Sequence, residues 1–133
     1  MIHGIGVDLL RIERGRKLWA RFGKRATAKL LHPAEYALLE SGREPGAVLA
    51  RSFAAKEAFV KALGTGFRAA GFKEIGAVRD GDGPPRLVFS ERLSALLRDR
   101  GIGAAHLSFS DEAGLICAFV VLERAGAADP PIN

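Results

Sequence analysis

Phe53-Ala-Ala-Lys-Glu-Ala-Phe-Val-Lys-Ala-Leu-Gly-Thr-Gly66 places a carboxylate and two ammonium groups on one segment that ends at paired glycines. Its Ala- and Leu-rich run predicts a helix, and Gly64 follows it where a helix C-terminus favours glycine. Glu57 and Lys61 are four apart and therefore neighbours on the helix surface, with Lys56 one position before Glu57. One carboxylate and two ammonium groups on one helix suit the handling of a phosphate and a metal. The same residues also read as a plain capped helix carrying a surface ion pair that contributes about 0.3–0.5 kcal/mol. The segment alone leaves both readings open.

At the N-terminus, Ile2-His3-Gly4-Ile5-Gly6-Val7-Asp8-Leu9-Leu10 predicts a short apolar strand with Asp8 near its end. A helical pattern starts around Leu9 to Glu13. Asp8 is thus a candidate N-cap for that helix and equally a candidate metal ligand.

Taken together, the two segments resemble the holo-[acyl-carrier-protein] synthases, the small phosphopantetheinyl transferase family. Gly6-Val7-Asp8, continuing to Ile12 and Arg14, matches the family's first motif, and Phe53 to Gly66 matches its second at every fixed position. The likeness runs on through Gly83-Pro84-Pro85 and Ala105-His106-Leu107-Ser108 to the last strand. It implies an α+β single domain over residues 1–124, with a small mixed or antiparallel sheet packed on the long central helix, and a homotrimer whose active sites lie between protomers. Residues 125–133, rich in Ala, Gly and Pro, are expected to form a loose tail.

The resemblance implies an activity as well. The family moves the phosphopantetheine arm of coenzyme A onto a serine hydroxyl of acyl carrier protein, releasing adenosine 3′,5′-bisphosphate. Such a transfer needs charge neutralisation, in-line positioning and removal of a proton. Mg²⁺ takes oxygen ligands and is commonly held by one or two carboxylates plus substrate phosphates, so Asp8 and Glu57 are the implied ligands. Both are candidate catalytic residues, and Glu57 could also be the base that takes the serine proton, directly or through a metal-bound water. Lys61 would face the pyrophosphate as a point charge, and Gly64 and Gly66 would let backbone amides approach phosphate oxygens. His106 and Ser108, two apart on one strand, share a face and would serve the nucleotide end of coenzyme A, His106 in a neighbouring protomer's site.

Three positions depart from the family pattern. Ser52 stands where an arginine for the cofactor's 3′-phosphate is usual, with Arg51 one position earlier and about 100° round the helix. Gly15 replaces a bulky aliphatic residue, which would loosen the first helix by roughly 0.5–1 kcal/mol relative to Ala. Pro84 replaces a frequent lysine.

Composition bounds the remaining possibilities. The 133 residues make one domain, 48% hydrophobic and 26% charged, as in ordinary globular chains. No run reaches the roughly 20 apolar residues of a membrane span, no leader pattern precedes the first strand, and a cytoplasmic location is expected. The lone Cys117 excludes an internal disulfide and sits in an apolar strand as a small hydrophobe. A net charge of +5 favours an acidic partner. Basic residues crowd positions 11–29, interleaved with Leu10, Ile12, Leu18, Trp19 and Phe22, which predicts a basic amphipathic helix broken near Gly23. In the family, acyl carrier protein docks on this helix; Arg14 follows the family pattern, while charge and reach add Arg21 and Arg25. A rival reading is a small basic protein for nucleic acid or another acidic partner, although no nucleic-acid motif supports it. No Walker A or Gly-x-Gly-x-x-Gly pattern is present.

The rest of the chain predicts a helical stretch from Pro33 to Glu40, the long helix from about Pro45 to Leu63, strands at 71–78 and 86–89 across a turn, a helix at 91–100 capped by Ser90, and strands at 104–110 and 115–122 joined by a hairpin.

Overall fold

The long helix is α4, Pro45–Leu63, in a computed structural model that describes residues 1–126. The tail expected beyond Arg124 lies, from 127 onward, outside the described residues. Pro45 occupies the first helical turn, where its missing N–H costs nothing. At the other end Gly64 adopts φ 85° and donates its N–H to Val60 and Lys61. The helix is apolar on most sides because other elements surround it, with Ala54, Ala55, Ala58 and Phe59 fully buried.

Strand β1 runs Ile2–Arg11, followed by α1 (Ile12–Phe22), α2 (Lys24–Leu30), a 3-10 turn at Pro33–Glu35 and α3 (Tyr36–Glu40). After α4 come 3-10 turns at Gly66–Arg68 and Phe72–Glu74, then β2 (Ile75–Arg79), β3 (Pro85–Phe89), α5 (Glu91–Asp99), β4 (Ile102–Glu112) and β5 (Leu115–Arg124). The expected break between α1 and α2 is present at Gly23, φ 53°. Ser90 caps α5 as predicted, its Oγ accepting the Leu93 N–H at 3.1 Å.

The strands form two antiparallel sheets instead of the single mixed or antiparallel sheet expected: one ordered β1-β5-β4, the other β2-β3. The first packs on α4 around Ile116, Val120 and Leu122, all fully buried. A second difference concerns β1. Pairing with β5 continues to Arg11 opposite Leu115, so the strand passes beyond Asp8 and α1 starts only at Ile12. Asp8 therefore does not cap the helix; Arg11 holds that position, without a side-chain cap.

Two close crossings fix the site. A Cβ on Gly4 or Gly6 would collide with the carbonyl oxygens of Ala62 and Ala58, so β1 lies directly against the backbone of α4. Similarly, a Cβ on Gly15 would collide with the Gly46 carbonyl, and one on Gly46 would meet the Arg16 Cα at 2.7 Å. Helix α1 thus approaches α4 as closely as backbones allow. The glycine that departs from the family pattern is the one this crossing requires.

Candidate active site

The β1–α4 crossing brings together the two segments singled out in the sequence. Alternation in β1 turns Gly4, Gly6, Asp8 and Leu10 toward α4, while Ile5, Val7 and Leu9 face outward and are exposed. From the last turn of α4, Lys61 Nζ donates to the Val7 carbonyl at 2.9 Å and to Asp8 Oδ1 at 3.5 Å. The Asp8 side chain is only 15% exposed, against 53% for Lys61, so the carboxylate is sheltered beside a more open ammonium.

Glu57 lies one turn before Lys61 and is half-buried. Among the described residues it makes no ion pair and no side-chain hydrogen bond, because Lys61 has turned to β1. The plain surface pair is therefore not formed. Asp8 and Glu57 supply hard oxygen donors, and no cluster of three or more His, Cys, Asp or Glu occurs among the described residues. Two carboxylates without a third protein ligand fit a cation that draws its other ligands from water and substrate phosphates.

Lys56 corrects the expectation that both ammonium groups on the helix handle phosphate. It is fully buried, with Nζ 2.9 Å from Glu35 Oε1 and donating to the Leu30 carbonyl. Burial pushes the Glu35 carboxyl up and the Lys56 ammonium down, and each charge partly offsets the other's shift. Glu35 Oε2 and Ser52 Oγ are buried nearby without a hydrogen-bond partner.

Of the two glycine amides proposed for phosphate, that of Gly64 is committed to the helix cap, as is the Thr65 N–H to Val60, whereas the Gly66 amide takes no part in the cap. Gly66 has φ 60° and open space where a Cβ would stand.

Arg51 pairs with Asp111 and sits 6.0 Å from the Phe109 ring centroid. It lines an open groove of about 370 Å³ together with Arg43, Arg79, Ser52 and Pro85. Arg43 and Arg79, visible in the sequence only as scattered charges, gain a common address through the fold. His106 and Ser108 lie on the outward face of the sheet, in register with Val121 and Phe119 and through them with Ile5 and Val7. His106 Nε2 is 2.9 Å from Glu123 Oε2, a contact that lowers the Glu123 pKa. Asp8 faces the other side of that sheet. His106 and Ser108 therefore do not join the Asp8 and Glu57 site of their own chain.

Five of the seven basic residues of α1 and α2 meet a carboxylate or a ring, while Lys24 and Lys29 meet neither among the described residues. Arg16 is paired with Glu44 at 2.6 Å and Lys17 with Glu13 at 3.7 Å. Arg14, Arg21 and Arg25 form no ion pair among the described residues; instead Arg14 lies over the Phe53 ring at 5.5 Å, and Arg21 and Arg25 over Phe22 at 5.1 and 5.7 Å. Sequence reasoning missed the two rings, since nothing in the spacing links residue 14 to residue 53.

Comparison with known proteins fits this geometry. Residues 4–119 match the family model described as the 4′-phosphopantetheinyl transferase superfamily. A holo-[acyl-carrier-protein] synthase of Thiobacillus denitrificans is 46% identical over 130 residues, covering 97% of this chain and 99% of that protein. The crystal structure of the Neisseria meningitidis synthase is 41% identical, with a TM-score of 0.86 over 93% of this chain and 100% of that one. The Helicobacter pylori synthase, solved in complex with coenzyme A, has a TM-score of 0.76 at 28% identity over 90% of this chain and 99% of that one. With both motifs meeting where β1 crosses α4, the chain belongs to the holo-[acyl-carrier-protein] synthase family of the 4′-phosphopantetheinyl transferase superfamily.

Proposed function

We propose that the chain transfers the 4′-phosphopantetheine arm of coenzyme A to a serine hydroxyl of apo-acyl carrier protein, releasing adenosine 3′,5′-bisphosphate. The observation that carries this reading is the crossing at Gly4 and Gly6, which sets Asp8 against Lys61 one turn from an unpartnered Glu57. Asp8 and Glu57 would hold Mg²⁺, which when bound neutralises pyrophosphate charge as the phosphorus is attacked. Glu57, without a side-chain partner among the described residues, would accept the serine proton. Lys61 stabilises the charge that builds on the leaving bisphosphate, and its bond to the Val7 carbonyl fixes where that ammonium sits. The Gly66 amide, outside the helix cap, is the backbone donor for a phosphate oxygen. The groove adjoins Ser52, where the family's 3′-phosphate arginine is missing, and although Arg51 is paired with Asp111 and Glu35 and Glu44 also line it, Arg43 and Arg79 would supply replacement charge there.

The reading extends to a homotrimer. Ile5, Val7, Leu9 and Phe119 are 58%, 48%, 63% and 41% exposed and make one apolar face on the outside of the sheet. Such a face in a chain this small fits burial against other copies. It would also bring His106 and Ser108, from the edge of that face, to a neighbour's cofactor. Among the described residues no helix is long and apolar enough to cross a membrane, in keeping with a cytoplasmic enzyme.

Chromatographic detection of adenosine 3′,5′-bisphosphate tests the reaction. It should appear only when coenzyme A, Mg²⁺ and an apo-carrier protein are all present. Release without the carrier would indicate hydrolysis and contradict the transfer.

A further inference from the structure

Phe22 is an exposed aromatic residue at the end of α1, 38% accessible. A single exposed apolar side chain is ordinary on a protein surface. Two guanidinium groups gathered on one ring are not explained that way. Arg21 precedes Phe22 directly, but Arg25 reaches it because Gly23, at φ 53°, redirects the chain between α1 and α2. Two like charges so placed repel each other, and the face of an aromatic ring is the one neutral surface that attracts both without cancelling either. Phe53 does the same for Arg14. Its ring is fixed by stacking on Phe72 at 5.6 Å, which in turn packs on Phe67 at 4.2 Å, and the close Gly15–Gly46 crossing brings α1 near enough for Arg14 to lie over it. Phe53 and Glu57 are four apart on α4, so Arg14 is held one helical turn from the candidate base.

The contrast with the neighbouring cations is informative. Arg16 and Lys17 are neutralised by carboxylates on their own chain. Arg14, Arg21 and Arg25 are exposed, free of ion pairs among the described residues, and seated on rings. A long flexible arginine normally loses side-chain freedom when it meets its partner, and ordering it beforehand removes part of that cost.

We infer that Phe22 and Phe53 are positioning residues for the carrier protein: their rings hold Arg14, Arg21 and Arg25 ordered and unneutralised, ready for the carboxylates of an acidic partner. This rests on the reading that α1 docks the carrier. The two rings act through the arginines and not on the transferring phosphoryl group.

A double-mutant cycle on the full-length protein with an acidic apo-acyl carrier protein tests it. Phe22→Leu should raise the KM for carrier roughly three- to ten-fold, the scale of one ring serving two cations. The KM for coenzyme A and the kcat at saturating carrier should hold, and Phe22→Trp, which keeps an aromatic face, should restore the KM. In an Arg21→Ala/Arg25→Ala background Phe22→Leu should add almost nothing. If it adds its full effect there, the ring contacts the carrier directly and the positioning role is overturned. An unchanged KM in Phe22→Leu, with a raised KM in the arginine variant, overturns the inference but leaves docking intact. If the arginine variant itself binds carrier normally, both fall. Matching thermal unfolding of the variants excludes a folding defect as the source of any rise in KM.

Discussion

Lys56 and Glu57 are adjacent in sequence and about 100° apart around α4, which gives them opposite environments. Lys56 is sealed with Glu35, while Glu57 stays half-exposed and unpartnered. Breaking a buried pair from one side strands a charge, so Lys56→Met should destabilise the fold by about 3–5 kcal/mol, and the added change Glu35→Leu should recover much of that loss. Urea unfolding of the single and double variants checks this; additive losses would contradict it. Glu74 provides the pH-sensitive counterpart. Hydrogen bonds from Arg92 at 2.6 and 2.5 Å, with further donors on Gly71 and Ser90, lower its pKa to about 2. The folded protein thus binds this proton less readily than the unfolded chain. Its stabilising contribution is complete above the ordinary carboxylate range and fades as the pH falls toward 2. Unfolding measured from pH 5 downward should show the difference between the parent and Glu74→Gln shrinking; a constant difference would contradict the assignment. Asp8, Glu57 and Lys61 stand out in the sequence through the family motifs that carry them, and the fold brings Asp8 beside Lys61. The partner of Lys56 was not, since Glu35 is brought to it only by the turn at Pro33–Glu35.

At the scale of elements, local signals located the helices better than they located contacts. Pro45, Gly64 and Gly101 mark helix ends through backbone geometry and Ser90 through its hydroxyl, and those ends are where the structure has them. Strand β1 outran its expected end because pairing with β5, a partner more than 100 residues away, decides where it stops. Gly15 shows the same limit in an energy. Helix propensity alone makes Gly15→Ala favourable by roughly 0.5–1 kcal/mol. The crossing reverses that sign, since the new Cβ would meet the Gly46 carbonyl and the Ala50 N at 2.7 Å. Gly15→Ala should therefore lower the melting temperature, and with α1 pushed outward it should also raise the KM for carrier. A melting temperature at or above that of the parent would show that α1 yields freely.

For the whole molecule, the proposed homotrimer would tie activity to the apolar outward face of the sheet. Val7→Glu places a charge in the middle of Ile5, Leu9 and Phe119 and should give monomers by light scattering, with activity lost although the Asp8 and Glu57 side of the sheet is untouched. If each site draws on two protomers, inactive Glu57→Gln and weakened His106→Ala chains should regain part of the activity when assembled together; no recovery would place His106 outside the neighbour's site. The trimer was an expectation from family resemblance alone; the uncovered strand face that supports it depends on the fold and not on spacing. On the proposed mechanism a single carboxylate on α4, that of Glu57, governs transfer of the arm to a carrier serine. The intact mass of an apo-acyl carrier protein incubated with coenzyme A, Mg²⁺ and either the parent or Glu57→Gln tests it most directly. The carrier should gain about 340 Da, the mass of the transferred arm, with the parent and nothing with the variant; an unmodified carrier with the parent, or full conversion by the variant, would overturn that role.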